Sequence, residues 1–329
     1  MRRREFIKVI GGAGLVAWPV ASRAQPSSAP VIGFLNSASP DLLADRVRAF
    51  RKGLSEVGYV EGRNVAIEYR WAENKFDSLP DLASDLVRRN VNVIVTGYNL
   101  AAAQAAKAAT NTIPIVFASG ADPVKAGLVA SLNQPSGNIT GVNILANELV
   151  PKQVEVLHEL VPAATTIAAL LNPTNKDSSE NISKDAQAAA EKIGVQLIVL
   201  HARTDAEIAA AFVTVHQQKV GALIIAPDSF FSGRNEVLAT LALRDAVPTI
   251  GPFRGFATAG GLMSYGGSVS EQGRQQGVYA GRILNGERPG DLPVLQITRI
   301  ELAINLRTAK ALGLTVPLPL LGRADEIIE

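Results

Sequence analysis

The sequence predicts an α/β protein made of two doubly wound parallel-sheet lobes, and three observations carry that prediction. From Val31 onward, short apolar runs alternate with stretches whose apolar residues recur every three or four positions, the period of an amphipathic helix. The short runs are continuously apolar rather than alternating, as strands buried on both faces require. The alternation also runs through two successive halves of about 115 to 130 residues each, so two lobes can face each other across a cleft.

The first strand is Val31 to Leu35. Ser39-Pro40-Asp41 then reads as an N-cap, a first-turn proline and an acidic residue opening a helix. Leu42, Leu43, Val47, Phe50 and Leu54 give that helix one apolar face, and Gly58 stops it. The pattern repeats as strand Val65 to Tyr69, helix Leu79 to Arg89, strand Val91 to Val95, helix Leu100 to Ala109 and strand Ile113 to Ala118. After Ser136-Gly137-Asn138 come strand Ile139 to Ile144 and helix Pro151 to Leu160. The second series has strand Thr166 to Leu171, helix Ser183 to Ile193, strand Val195 to Leu200, helix Asp205 to Gln217, strand Ala222 to Ala226 and helix Asn235 to Arg244. Strands Pro248 to Gly251 and Leu262 to Tyr265 follow, then helix Val269 to Leu284. The tail reads as a strand from Leu295 to Ile304 and a helix from Leu306 to Leu312.

Ahead of this alternation stands an export signal. Arg3-Arg4-Glu5-Phe6-Ile7-Lys8 resembles the twin-arginine pattern, and Val9 to Val20 is an apolar run of 12 residues. A spanning helix needs about 20 residues, so the run reads as removable rather than as an anchor. Ser22-Arg23-Ala24 offers small residues for a cut before Gln25, which makes residues 1–24 the signal and 25–30 a linker. The whole chain carries +2, but residues 1–24 hold +4 of it, which leaves −2 for the remainder. With the basic charge concentrated in the signal, no nucleic-acid partner is expected. The absence of cysteine excludes disulfides, thiolate metal sites, thiol nucleophiles and a lipidated tether. No later apolar run approaches 18 residues, so the exported chain is not expected to be membrane-embedded.

In open parallel sheets, ligands collect beyond the carboxyl ends of the strands. The residues there supply the candidate binding set. In the first half these are Asn36, Ser37, Gly97, Tyr98, Ser119 and Asp122; in the second they are Asn172, Asp228, Phe230 and Phe253. Short hydroxyl and amide groups suit a carboxylate, Asp228 or Asp122 an ammonium, and the aromatic rings an apolar body. Several have a plainer alternative: Asp122 before Pro123 caps a helix, Ser37 and Ser39 cap a helix, and at least one of the adjacent Phe230 and Phe231, which point opposite ways, packs inward. Catalysis finds little support. His158, His201 and His216 lack metal-ligand spacing, and neither a phosphate loop nor a nucleophile elbow is present. No cofactor is expected.

Ala121 to Asn143 (ADPVKAGLVASLNQPSGNITGVN), Ala257 to Gly266 (ATAGGLMSYG), Glu287 to Gln296 (ERPGDLPVLQ), the closing INLRTAKALGLTVP and the terminal ADEIIE resemble the substrate-binding proteins of ABC transporters. The resemblance covers nearly all of the chain after the signal. It implies two Rossmann-like lobes of the type I periplasmic binding fold, joined by three crossings and closing on one small molecule. Gly141-Val142 would form the first crossing, with residues 31–143 and 262–292 in lobe 1 and 144–261 and 293–329 in lobe 2. Relatives commonly read I-Y-P-F-R-x-F where this chain has Ile250 to Phe256 with Gly251 in the tyrosine's place. The specificity of relatives is therefore not carried over.

The resulting expectation is a periplasmic receptor that captures an amino acid or similar carboxylated solute by hinge closure and hands it to the permease subunits of an ABC importer, working as a monomer. Trp71 is the only tryptophan left once Trp18 departs with the signal, so the stacking platforms of a sugar site are scarce. The alternatives are an exported enzyme using Asp122 or Asp228 as a base, and a sensory module with the same fold.

Overall fold

A computed structural model describes residues 29–98 and 100–329. The expected export signal, and residues 25–28 of the linker, lie outside the described residues. In chain order the first lobe opens with β1 (Val31–Asn36), α1 (Ala44–Glu56), β2 (Ala66–Trp71), α2 (Leu79–Arg88), β3 (Val93–Tyr98), α3 (Leu100–Ala109), β4 (Ile115–Ser119) and β5 (Ile139–Asn143). The second holds α4 (Val150–Leu160), β6 (Thr166–Leu171), α5 (Lys176–Lys192), β7 (Gln196–His201), α6 (Asp205–Gln217), β8 (Ala222–Ile225), α7 (Ser229–Ser232), α8 (Asn235–Arg244), β9 (Thr249–Gly251), α9 (Arg254–Thr258) and β10 (Met263–Gly267). Then come α10 (Val269–Leu284), β11 (Leu295–Gln296), β12 (Ile300–Asn305), α11 (Leu306–Ala311), α12 (Leu318–Leu321) and β13 (Glu326–Ile328).

The strands form two sheets, ordered β11-β5-β4-β3-β1-β2 and β13-β12-β10-β9-β8-β6-β7. Within each, the first five strands take the doubly wound order 2-1-3-4-5, all parallel. Lobe 1 has one core under α2 and α3, around Leu79, Leu86, Ala103 and Phe117, and another under α1 and α10, around Phe34, Phe50, Leu54 and Ala280. Lobe 2 is built likewise, with α4 and α5 on one face of its sheet and α6 and α8 on the other. The α1–α10 contact is unusually close. A Cβ on Gly53 would collide with the backbone of Arg274, and one on Gly277 with the backbone of Phe50, so only glycine lets the two helices meet at this distance.

Sheet membership shifts the expected boundaries. Gly141 and Val142 lie inside β5, paired with Phe117 and Ala118, and the chain crosses only after Asn143, through Leu145 at φ 53°. Met263 to Gly267 belongs to the second sheet, between β9 and β12, so the second crossing falls at Ser268 rather than before Leu262. The expected strand Leu295 to Ile304 is two strands in two lobes: β11 pairs with β5, and β12 runs antiparallel to β10. The third crossing lies between them. A continuous apolar run hides such a break because both pieces are buried. Ser39 does not cap the first helix; a 3-10 turn from Asp41 to Leu43 precedes α1, and no side chain caps either segment.

Val142 from the end of β5, Ile144 and Ala146 from the first crossing, Ile297 from the third and Phe253 from lobe 2 form a small separate core, against which Val269 and Leu295 pack. This cluster sits where the two lobes join. It draws on all three crossings, since Val269 follows the second directly.

Candidate functional site

The carboxyl ends of both parallel sheets face the cleft. In lobe 1 these ends are tied together by two glutamines one turn apart on α10. Gln272 Nε2 donates to Ser119 O and Val142 O, each at 3.0 Å, and Gln276 Nε2 donates to Thr96 O at 2.7 Å and Val116 O at 3.0 Å. Each amide thus bridges two adjacent strands. Composition and periodicity gave no sign of either residue's role, since both sit on a helix whose apolar stripe is otherwise small.

Among the described residues several spaces open between and beside the lobes, and three of them lie near the candidate residues. A narrow inner cavity of about 20 Å³, room for about one water, is walled by Leu100, Ser119, Gly120 and Ala121 from lobe 1 and by Asn175, Ser178, Pro227, Asp228 and Ser229 from lobe 2, with Asn147 beside the first crossing. A second space of about 20 Å³ lies in lobe 1, lined by Phe34, Leu43, Val269 and Gly273 with Asn36, Arg46, Gly97, Gln272 and Gln276. Ala118 lines this second space and its neighbour Ser119 lines the first. The third, an outer groove of about 310 Å³, runs past Arg46, Asn235, Phe253 and Ser268.

Of the residues singled out in the sequence, Ser119 and Asp228 line the inner cavity, Asn36 and Gly97 the lobe 1 space, and Phe253 the outer groove. Gly97 is required where it stands, because a Cβ there would overlap the Asn36 amide. Asn36 Oδ1 accepts from Ala38 N–H at 2.9 Å, and Ser119 Oγ is committed to a turn, donating to Ala121 O and accepting from its N–H. Ser37 is buried, and its hydroxyl has no partner. Tyr98 ends β3, where the register against β4 breaks.

Other candidates stand away from the cavities. Asp122 Oδ1 accepts from Val124 N–H at 2.8 Å and Lys125 N–H at 3.2 Å, so its carboxylate holds its own turn, with no helix after it to cap. Phe230 and Phe231 both belong to the lobe 2 core, in edge-to-face contact at 5.4 Å, with the Arg234 guanidinium 3.8 Å from the centre of the Phe230 ring. Consecutive residues on a helical turn do not point to opposite sides as they would on a strand, and here both rings reach the core. Phe253 serves the junction cluster more than the groove, and the Arg46 guanidinium from lobe 1 lies 5.7 Å from its ring centre.

Asn172 and Asp228 form the polar floor of lobe 2. Asn172 Nδ2 donates to Asp228 Oδ1 at 3.0 Å, and Phe230 N–H donates to the same oxygen at 2.8 Å. Asn172 is itself held, its Oδ1 accepting from the N–H and hydroxyl of Thr174 at 3.1 and 2.6 Å. Asp228 is 5% exposed, and its other oxygen, Oδ2, makes no hydrogen bond of ordinary geometry, although the Asn175 side chain and the Phe231 N–H stand close enough to pull on the carboxylate. Burial pushes the Asp228 carboxyl above the usual carboxylate range, against the downward pull of Asn172 and the Phe230 and Phe231 N–H groups. Ser229 Oγ, at 3% exposure, also lacks a partner and lines the same cavity. Buried polar groups are normally satisfied, so two such groups facing one cavity mark a place built for something else. Asn175 and Ser178 escaped notice because α5 begins at Lys176, seven residues before its apolar repeat; its first turns face the polar cleft.

Two mirrored lobes with polar strand ends across a cleft, tied by three crossings, define the class of two-lobed solute-binding proteins. The chain belongs to the ABC transporter substrate binding protein family, which matches residues 31–328. It is 28% identical over 267 residues to a tyrosine-binding protein of Clostridioides difficile, covering 81% of this chain and 76% of that one. Among solved structures, it is similar to an ABC domain from Streptococcus pneumoniae in complex with L-Trp, with 27% identity, a TM-score of 0.81 and coverage of 92% and 100% of the two chains. Against the ligand-free, open structure of a substrate-binding protein with adhesive properties from Clostridium difficile, identity is 26% and coverage 91% and 99%, but the TM-score is 0.65. At nearly equal identity, the arrangement here stands closer to the L-Trp complex than to the open form. The chain is a solute-binding protein of an ABC transporter rather than an enzyme. Among the described residues, no helix is long and apolar enough to cross a membrane.

Proposed function

We propose that this chain is exported to the periplasm, loses its signal near Ala24, and serves as the monomeric receptor of an ABC importer for an amino acid. The observation that carries this reading is the inner cavity, whose wall comes partly from each lobe and holds Asp228 Oδ2 and Ser229 Oγ, neither in a hydrogen bond of ordinary geometry. A solute that enters by displacing these walls touches both lobes at once, so it favours the closed arrangement by whatever affinity it gains from the second lobe. The L-Trp and tyrosine named for two relatives point to aromatic amino acids as the first solutes to try.

A thermal-shift series on residues 25–329 tests this reading, with amino acids, sugars and short carboxylates as ligands. A ligand at about 100 times its Kd adds about 2.7 kcal/mol to stability. The expected result is a selective rise in Tm with an aromatic amino acid, accompanied by a smaller radius of gyration in solution scattering. Selective stabilisation by a sugar, with no response to amino acids, would reject the proposal.

A further inference from the structure

The first crossing contains a left-handed bend. Ile144 still belongs to lobe 1, since its N–H donates to Ser119 O at 3.1 Å and continues the ladder between β4 and β5. The 3-10 turn Asn147–Leu149 already belongs to lobe 2, where it packs on α4 and α5 and Asn147 Nδ2 donates to Ser178 Oγ at 2.8 Å. Leu145 and Ala146 alone lie between these anchors. Ala146 has ordinary helical angles, φ −65° and ψ −31°, whereas Leu145 stands at φ 53°. Among the described residues of the three crossings, no other has a positive φ. That region is strained for any residue with a Cβ, and glycine alone enters it freely.

Two hydrogen bonds hold the bend. Leu145 N–H donates to Asn143 Oδ1 at 3.2 Å, and Asn147 N–H reaches across it to Gly120 O of lobe 1 at 3.1 Å. The second bond joins a turn seated on lobe 2 to a loop of lobe 1, so it depends on how the lobes stand. They stand here nearer to the liganded than to the open arrangement of the relatives.

From this we infer that Leu145 is a backbone spring, forced into the left-handed region when the lobes close and released when they open. Its release biases the empty receptor toward the open form, so a solute must overcome this strain as well as bring the lobes together. The inference rests on the closure reading, not on the choice of solute.

The test compares Leu145→Gly, Leu145→Asn and Leu145→Ala with wild type in residues 25–329. Glycine removes the strain and asparagine eases it, while alanine keeps the Cβ that causes it and loses the rest of the side chain. The chain has no cysteine, so Asp45→Cys and Thr258→Cys, on the lobe 1 and lobe 2 walls of the outer groove, can carry two spin labels. Their separation reports the open and closed populations. Without ligand, the closed-to-open ratio is expected to rise about fivefold in Leu145→Gly and about twofold in Leu145→Asn, and to stay at the wild-type value in Leu145→Ala. The two distances themselves should match wild type, which shows that the variants fold. By calorimetry, L-tryptophan and L-tyrosine should bind Leu145→Gly tighter by the same factor. Equal ratios in Leu145→Gly and wild type would overturn the inference, because the strain would then be the same in both arrangements. A shift shared by Leu145→Gly and Leu145→Ala would overturn it too, since side-chain packing would be the cause. Failure of wild type to bind either amino acid would count against the aromatic reading alone, because the labels need no ligand.

Discussion

The side chain of Asn172 reaches from the end of β6 to Asp228 at the end of β8, its Nδ2 donating to Oδ1 at 3.0 Å with both residues buried. This single bond determines which carboxylate oxygen is left for the cavity. Replacing Asn172 with Ala removes the bond and strands the Thr174 hydroxyl as well. Loss of a partner to a buried charged group costs about 1–3 kcal/mol. The expected outcome is a Tm several degrees lower and ligand binding about tenfold weaker, measured by calorimetry. Unchanged affinity in a folded Asn172→Ala protein would show that Asp228 holds its orientation without it.

Asp228 also predicts a pH signature without ligand. Its carboxyl is raised above the ordinary carboxylate range because burial penalises the charged form. Between that ordinary range and the raised folded value, the folded protein holds more protons than the unfolded chain, so stability falls as pH climbs through the window and stays low above it. Asp228→Asn has no such loss. The variant without ligand is therefore expected to melt above wild type at pH 7 to 8, with the gap closing as pH falls toward the ordinary carboxylate range. A gap that is constant from pH 4 to 8 would exclude this account.

The periodicity of the sequence was enough to find nearly every strand and long helix, because burial on both sheet faces leaves a continuous apolar signature. It failed where polar cleft and apolar core meet. The first two turns of α5 carry Ser178 and Ser179 on a buried polar face and so lack the apolar repeat. The tail strand split into β11 and β12 because two buried strands in different lobes read as one run. At the site, strand-end position located Asn36, Gly97, Ser119 and Asp228, all on cavity walls. Position alone could not separate Asp228, with an oxygen to spare, from Asp122, whose oxygen holds its own turn. Gln272 and Gln276 left no trace, since their partners are backbone carbonyls far away in sequence.

The helix pair that anchors α10 gives a prediction free of any ligand. Gly277→Ala would push a methyl into the backbone of Phe50, which cannot move aside as a flexible side chain could. Overpacking of this kind costs about 1–3 kcal/mol or more. Gly273→Ala meets Arg46 O at 3.1 Å and the Ala49 methyl at 3.3 Å, so a smaller shift accommodates it. Urea denaturation should therefore rank Gly277→Ala well below Gly273→Ala in midpoint. Equal midpoints would mean that the helices can separate at little cost.

Two phenylalanines that looked alike in sequence should separate under mutation. Phe230 packs in the lobe 2 core, so Phe230→Ala leaves a cavity inside one lobe and is expected to lower stability by about 3–5 kcal/mol. The ligand affinity of the protein that remains folded should change little. Phe253 packs against Val142, Ile144, Ala146 and Ile297 where the crossings meet, and Arg46 of the opposite lobe lies over its ring. Its contacts therefore belong partly to the fold and partly to the closed arrangement. Phe253→Ala should show a smaller loss of Tm than Phe230→Ala, a larger radius of gyration in solution scattering, and ligand binding weakened because closure is less favourable. Phe253→Leu, which refills most of the volume, should recover both readouts. If Phe253→Ala lowers Tm yet leaves both the radius of gyration and the affinity at wild-type values, the cluster is ordinary core and the lobes close without it.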